Sequence, residues 1–537
     1  MTNSKITVAE MIAHKLKARG VQRMFGIPGG GSSLDLIDSA AKHGIEFHLS
    51  KREDSAVMMA AVTAEMSGTP GVVLTTKGPG TASAVNGVAY ASLDRSPVVV
   101  FTDGFSPEIQ KYVTHQVFDQ KSLLEPVTKA HGLLESDDPS FEFEQLLDHT
   151  SFPPFGPVHV ELTSPVARKE ILISENHELP KKIEILNPSM VDKARVLLES
   201  ANQPVIIVGL EARTPAIAKQ IETLVSKLNC PALVTYKAKG VIADDHPKFV
   251  GIFTGGKAEQ SCVSQADLII LIGMDPIELI LQPWPYQIPV LDIAEVEHTP
   301  HYTTPDTGLY GPLGKSLKAI KNNAQQSQWV SSEIAMLKSD MITRLAFPIG
   351  NDLNPQSIVE LAQSAAVHNP RVTVDAGAHM ISATAFWKVS QPNDLLISNG
   401  LATMGFAVPA AVAAALEDPA RGAIAFTGDG GFMMCASELA LAAQTNANIV
   451  VVVFNDGTLS LIDIKQKSRN LSRRGTTWQQ PNFAKVAEGL GCQAWRVNTV
   501  EDYKVALEKA FEVEGPALID VVVDPHGYAE QLASLRG

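Results

Sequence analysis

The sequence predicts an α/β protein built from three doubly wound parallel-sheet domains. Three observations lead there. Short β-branched runs end in glycine-rich turns and feed Ala- and Leu-rich helical patterns, the rhythm of βαβ units. That rhythm occurs in three blocks, parted by polar stretches at 167–186 and 321–338. The length of 537 residues suits about three domains.

The first block, 1–170, carries strand runs at 23–26, 71–75 and 97–101. The second, 187–325, opens near Pro188 and carries runs at 204–209 and 268–273. The third, 345–537, opens near Asn354 and carries runs at 372–375, 423–426 and 449–454. The stretch 167–186 is rich in Lys, Glu and Pro, and 321–338 in Asn, Gln and Ser. Both read as exposed connections. The apolar run 400–416 approaches membrane-span length, but its Ala and Gly make it weakly hydrophobic. It reads as a buried strand-turn-helix.

Composition narrows the function classes. Apolar residues at 45% and charged residues at 19% describe a soluble globular chain. A net charge of −14 argues against a nucleic-acid or anionic-membrane surface. The four cysteines, Cys230, Cys262, Cys435 and Cys492, form no CxxC pair and read as buried free thiols in a reducing cytosol. The first residues lack a signal-peptide apolar core, so a cytoplasmic location is expected.

The third block carries the most chemistry. Gly428-Asp429-Gly430-Gly431 ends a strand and opens a helical pattern that runs through Gln444. Such a turn gathers backbone N–H groups at the positive end of a helix dipole, which suits a diphosphate. Asp429 is a hard oxygen ligand. Asp456, at the next strand end, can lie beside it. Two carboxylates, a main-chain carbonyl, a water and two diphosphate oxygens would complete an octahedron around Mg²⁺.

Gly428-Asp429-Gly430, followed about 25 residues later by Asn455-Asp456, resembles the thiamine-diphosphate fingerprint. The family usually has Asn where Asp456 stands; the extra charge favours Mg²⁺ and competes with the diphosphate. The resemblance implies Asp429, Asp456 and the Thr458 carbonyl as metal ligands, with Gly428, Gly430, Gly431, Leu459 and Ser460 at the cofactor. The segment 400–411 resembles the family's aminopyrimidine-binding segment. It implies Met404 as the wedge that bends the cofactor and the Ala402 carbonyl as acceptor for its 4′-amino group. Asp375-Ala376-Gly377-Ala378-His379 resembles another diphosphate-side turn. There, Ala378 adjoins the cofactor and His379 either contacts phosphate or caps a helix.

Thiamine must lose its C2 proton. A buried carboxylate with a raised pKa, bonded to the pyrimidine N1′, promotes that loss. Glu53, in Lys51-Arg52-Glu53-Asp54-Ser55-Ala56, resembles the family's strand-end Glu before an Ala-rich helix. Arg52 replaces the usual His. Asp54 is the rival, and the register of Ala56 and Ala60 favours Glu53. Around it, Pro28-Gly29, Lys77-Gly78-Pro79-Gly80 and His115-Gln116 through Lys129 resemble the pyrimidine-binding domain of the acetolactate synthase and 2-oxo acid decarboxylase superfamily. Pro28, Gly29 and Pro79 are expected at the cofactor, and His115 and Gln116 near the nascent product.

The three blocks thus become pyrimidine-binding, central and diphosphate-binding domains. The resemblance implies half-sites from different subunits, with Glu53 and Asp429 meeting across a homodimer, and a homotetramer as the expected assembly. The small-molecule partner is a 2-oxo acid. FAD is not expected, because 204–209 is followed by no GxGxxG. Gly251 to Ala258 nearly spells a P-loop but lacks its final hydroxyl.

The expected reaction is decarboxylation with carboligation to a second carbonyl, as in acetolactate synthases. The runs from His115 to Lys129 and 397–400 favour it. Ser83-Ala84-Val85-Asn86-Gly87 is closer to simple decarboxylases, whose adjacent His pair is absent. An aldehyde-releasing decarboxylase, an acyloin or benzaldehyde lyase, and an oxalyl-CoA decarboxylase-type enzyme remain open. A non-catalytic regulatory paralogue is disfavoured because Glu53 and Asp429 are both present.

Overall fold

The computed structural model describes residues 5–172, 186–280, 283–322, 324–348 and 353–536. Among them are three six-stranded sheets, each wholly parallel. A small antiparallel ribbon pairs Lys5–Thr7 with Glu170–Leu172.

The N-terminal sheet runs, edge to edge, Glu46–Leu49, Arg23–Ile27, Gly71–Thr75, Val98–Gly104, Val158–Thr163 and His131–Gly132. The C-terminal sheet runs Leu395–Ile397, Arg371–Val374, Ala423–Gly428, Ile449–Asn455, Ala517–Val522 and Gln493–Val497. Numbered within each domain, both follow the order 2-1-3-4-6-5. The central sheet follows 3-2-1-4-5-6: Phe249–Ile252, Ala232–Val234, Pro204–Val208, Leu268–Ile272, Val290–Ala294 and Thr307–Tyr310. The unbroken apolar runs follow from this architecture. Helices cover both faces of a parallel sheet, so strands such as Ile449–Asn455 are buried throughout.

The first and third domains share a core. Helix Glu53–Ser67 is buried from Ser55 to Ala64 and packs against Ala407–Glu417 of the C-terminal domain. Alanines on both helices let the backbones approach, and Tyr90 lies 5.0 Å from Phe406. The central domain joins them through buried charges. Glu65 accepts from Lys237 at 2.9 Å and from Arg213 at 2.7 Å. Burial alone would raise its pKa; the two cations outweigh that and hold it at about 2.

Three expectations need correction. The stretch 321–338 is helical from Ser331: helix Ser331–Leu345 turns Ile334, Leu337, Met341 and Leu345 inward, and the Asn and Gln residues that suggested a linker precede it. The stretch 167–186 contains the ribbon strand Glu170–Leu172, while 173–185 lie outside the described residues. The run 400–416 contains no strand. Leu395–Ile397 ends before it, and a turn leads into the buried helix Ala407–Glu417.

The near-P-loop holds a ligand of its own. Thr254 and Gly256 amides donate to Glu259 Oε1 at 3.1 and 2.6 Å, so a carboxylate of the chain fills that turn. At the switch point of the central sheet, the Leu210 amide donates to the buried Glu278 at 2.8 Å. The four cysteines are buried and unpaired. Among the described residues no helix is long and apolar enough to cross a membrane.

Candidate active site

A cleft of about 200 Å³ opens at the carboxyl edge of the C-terminal sheet. Four consecutive strand ends line it, as expected of a ligand crevice in an open α/β sheet. Ala378 and His379 follow Arg371–Val374. Ala402 and Met404 follow Leu395–Ile397. Gly428, Asp429, Gly430 and Gly431 end Ala423–Gly428 and open helix Asp429–Cys435. Asp456, Thr458, Leu459 and Ser460 follow Ile449–Asn455. Every cofactor candidate of the third block therefore lies in one cleft.

Asp429 is aimed by two amides: Gly430 donates to Oδ1 and Gly457 to Oδ2, both at 2.7 Å. Asp456 accepts from the Thr458 amide at 2.9 Å and from the Ser460 hydroxyl at 2.5 Å. Burial and the neighbouring Asp456 charge push the Asp429 carboxyl up to about 7, and burial raises Asp456 as well. Two desolvated carboxylates side by side suit a divalent cation, which lets both ionise. No group of three His, Cys, Asp or Glu side chains suited to a metal forms among the described residues.

His379 is the first residue of helix His379–Phe386, with Ala378 at the N-cap, so its ring does not cap that helix. It stacks on Phe454 at 5.1 Å. Burial holds the imidazole down at about 4, and Nε2 has no hydrogen-bond partner among the described residues. A buried nitrogen left unpaired is costly unless a ligand completes it. Gly430 is bare for a similar reason: a Cβ there would meet Met404 and Leu459 at 3.1 Å and Trp478 at 3.4 Å. Ala402 sits at φ +53°, a left-handed conformation unusual for alanine.

The N-terminal candidates cluster separately. Glu53 opens helix Glu53–Ser67, and its Oε1 lies 3.4 Å from where a Cβ on Gly80 would stand. Asp54, the rival, is paired with Arg52 at 2.9 Å. Glu53 was expected to be buried; within one chain it is half-buried. Pro28 is half-buried, and Gly29 lies so close to Asp103 Oδ2 that a Cβ would stand 2.2 Å from it. Pro79 begins helix Pro79–Leu93 and is exposed. His115 and Gln116 are exposed, with Gln116 against Gly78. None of these residues lines the C-terminal cleft of the same chain.

The structure adds residues the motifs did not single out. Asp375 accepts from Thr427 at 2.8 Å, from the Gly405, Phe406 and Ala376 amides at 3.1, 3.2 and 3.0 Å, and so ties three strand ends together. Buried Gln120 accepts from the Gly78 amide at 3.0 Å and donates to the Asp103 carbonyl at 3.0 Å, fixing the turn beneath Glu53. The Trp478 amide donates to Gly457 at 3.0 Å, and Tyr528 walls the cleft from the C-terminal helix. Asp375 sits in a quoted motif. Trp478 and Tyr528 lie in stretches with no signature, and only the fold brings them in.

Three family descriptions match along the chain. Residues 6–123 match the thiamine pyrophosphate enzyme N-terminal TPP binding domain, 191–320 the central domain and 375–521 the C-terminal TPP binding domain. The chain belongs to the thiamine pyrophosphate enzyme family. It is 28% identical to an acetolactate synthase of Bacillus subtilis (strain 168), over 96% of this chain and 93% of that one. A probable acetolactate synthase large subunit of Methanocaldococcus jannaschii is 27% identical, over 96% and 92%. The catabolic acetolactate synthase of Raoultella terrigena is 26% identical, over 96% and 95%. The chain is thus a thiamine-diphosphate-dependent enzyme of acetolactate synthase type, with the family's three-domain α/β fold.

Proposed function

We propose that this enzyme uses thiamine diphosphate and Mg²⁺ to decarboxylate a 2-oxo acid and joins the remaining fragment to a second carbonyl. The observation that carries the reading is the pair Asp429 and Asp456, at neighbouring strand ends beside His379, whose Nε2 has no partner among the described residues, in a chain that aligns over 96% of its length with an acetolactate synthase.

The residues present fit the cofactor. Asp429, Asp456 and the Thr458 carbonyl would hold Mg²⁺. The Gly430 and Gly431 amides at the start of helix Asp429–Cys435 would meet the diphosphate, and His379 Nε2 can donate to it. Met404 and the Ala402 carbonyl would seat the pyrimidine. Thiamine diphosphate, when bound, supplies a nucleophilic C2 and an electron sink for the carboxylate that leaves as CO₂. Glu53 would stand at the pyrimidine and hold the proton whose sharing promotes loss of the C2 proton. His115 and Gln116 would face the nascent product. Because Glu53 and Asp429 belong to separate half-sites, a partner subunit completes each site; the reading makes the homodimer the smallest active unit.

The test is purified protein with thiamine diphosphate, Mg²⁺ and pyruvate, followed by CO₂ release and product identification. Acetolactate is the expected product. Acetaldehyde alone would replace carboligation with simple decarboxylation. No CO₂ from pyruvate, with cofactor bound, would remove pyruvate as the donor.

A further inference from the structure

Helix Glu53–Ser67 starts without a cap of its own. Arg52 occupies the N-cap and its side chain accepts no amide of the first turn, where Asp54 accepts from the Ser55 amide at 3.0 Å. A carboxylate from another domain holds the two residues that lead into the helix. Glu438 Oε1 accepts from the Lys51 and Arg52 amides at 3.0 Å each, and Oε2 lies 3.2 Å from the Lys51 amide. Glu438 is fully buried and lies 386 residues along the chain from Arg52. It closes the short turn Ala436–Glu438 directly after helix Asp429–Cys435, whose first residue is the metal candidate.

A buried carboxylate is costly, and burial pushes this one up to about 7 against the pull of the Lys51 and Arg52 amides and of Lys51. An apolar side chain would spare that desolvation but leave the Lys51 and Arg52 amides without this acceptor. What the carboxylate adds is two directed bonds to the residues immediately before Glu53. We propose that Glu438 is the positioning residue for Glu53: it fixes the turn from which helix Glu53–Ser67 presents its first side chain. The proposal rests on the activator role assigned to Glu53 above. It also means that the C-terminal domain of each chain sets the geometry of that chain's own activator, while its Asp429 serves the other half-site.

The test compares Glu53→Gln, Glu438→Ala and Glu438→Gln in the full-length protein. The readings are exchange of the C2 proton of bound thiamine diphosphate, affinity for thiamine diphosphate and Mg²⁺, and hydrogen exchange at the Lys51 and Arg52 amides without cofactor. Glu438→Ala is expected to slow C2 exchange about 100-fold, the scale of a small misplacement of a reacting group. It should speed amide exchange at Lys51 and Arg52 and leave cofactor affinity near the wild-type value, because the metal and diphosphate candidates lie in the C-terminal cleft. Glu438→Gln keeps one oxygen acceptor and should restore part of both losses. Wild-type C2 exchange in Glu438→Ala, or slowed C2 exchange with a matching loss of cofactor affinity, overturns the proposal. If Glu438→Ala does not fold, Glu438→Gln decides by the same readings. Wild-type C2 exchange in Glu53→Gln removes the activator role itself, whatever Glu438 does.

Discussion

Gly431 and Asp375 show how tightly one residue can be bound to another's geometry. Asp375 Oδ2 would stand 2.3 Å from a Cβ on Gly431. That oxygen cannot retreat, because the carboxylate is held by four donors from three strand ends. Gly431→Ala must therefore break part of the Asp375 network or push helix Asp429–Cys435 away from the sheet. Overpacking of this kind costs about 1–3 kcal/mol. The expected outcome is a lower melting temperature and a larger loss of affinity for thiamine diphosphate, read by thermal melts and titration. Wild-type affinity in a folded Gly431→Ala would show that the Asp375 network does not hold the cleft's shape. Gly430→Ala meets the ends of Met404 and Leu459 at 3.1 Å and the Trp478 ring at an ordinary 3.4 Å, so it should lose affinity with little loss of stability.

At the scale of elements, a histidine pair ties an edge strand to the N-terminal sheet. His159 Nε2 bonds Thr102 at 2.8 Å, and its Nδ1 faces His131 Nδ1 at 3.1 Å. One ring must donate and the other accept, so protonating both sets N–H against N–H. Burial holds His159 down at about 3 and lowers His131 too. The unfolded chain takes up these protons near pH 6.5, so their contribution to stability is complete above that pH. It falls as the pH drops from 6.5 towards 3, at about 1 kcal/mol per unit for a group buried this deeply. The melting temperature should fall between pH 7 and 5.5, and His159→Gln should flatten that fall; an unchanged slope would clear the pair of any role. Such a pair was not legible in the sequence, where His131 and His159 are isolated. The strands themselves were legible, because runs such as 449–454 are apolar at every position. The start of helix Ser331–Leu345 was missed because an Asn- and Gln-rich run leads directly into it. In the cleft, Asp429 and Asp456 stood out through spacing and turn chemistry. Glu438 and Gln120 did not, because their function is to bond amides far away in sequence.

The whole molecule divides its chemistry. The C-terminal cleft holds the metal and diphosphate candidates, while Glu53, Gly29 and Gly80 form a second cluster that lines no part of that cleft in the same chain. Met433 and Met434, just beyond Asp429, are 47% and 53% exposed, as are several apolar side chains near His115. Apolar surface beside both half-sites suits burial against a second copy. A hybrid experiment separates the arrangements. Glu53→Gln and Asp429→Asn chains are each expected to be inactive alone. If sites form within a chain, a mixed dimer has one defect in each site and stays inactive. If sites form across the interface, one site of the mixed dimer collects both defects and the other collects neither. Co-purified hybrids should then regain about half the wild-type activity per dimer, because one of two sites is intact. Hybrids that stay inactive, while the wild-type dimer turns over, would place Glu53 and Asp429 in the same chain's site and remove the reason for a dimer as the smallest active unit.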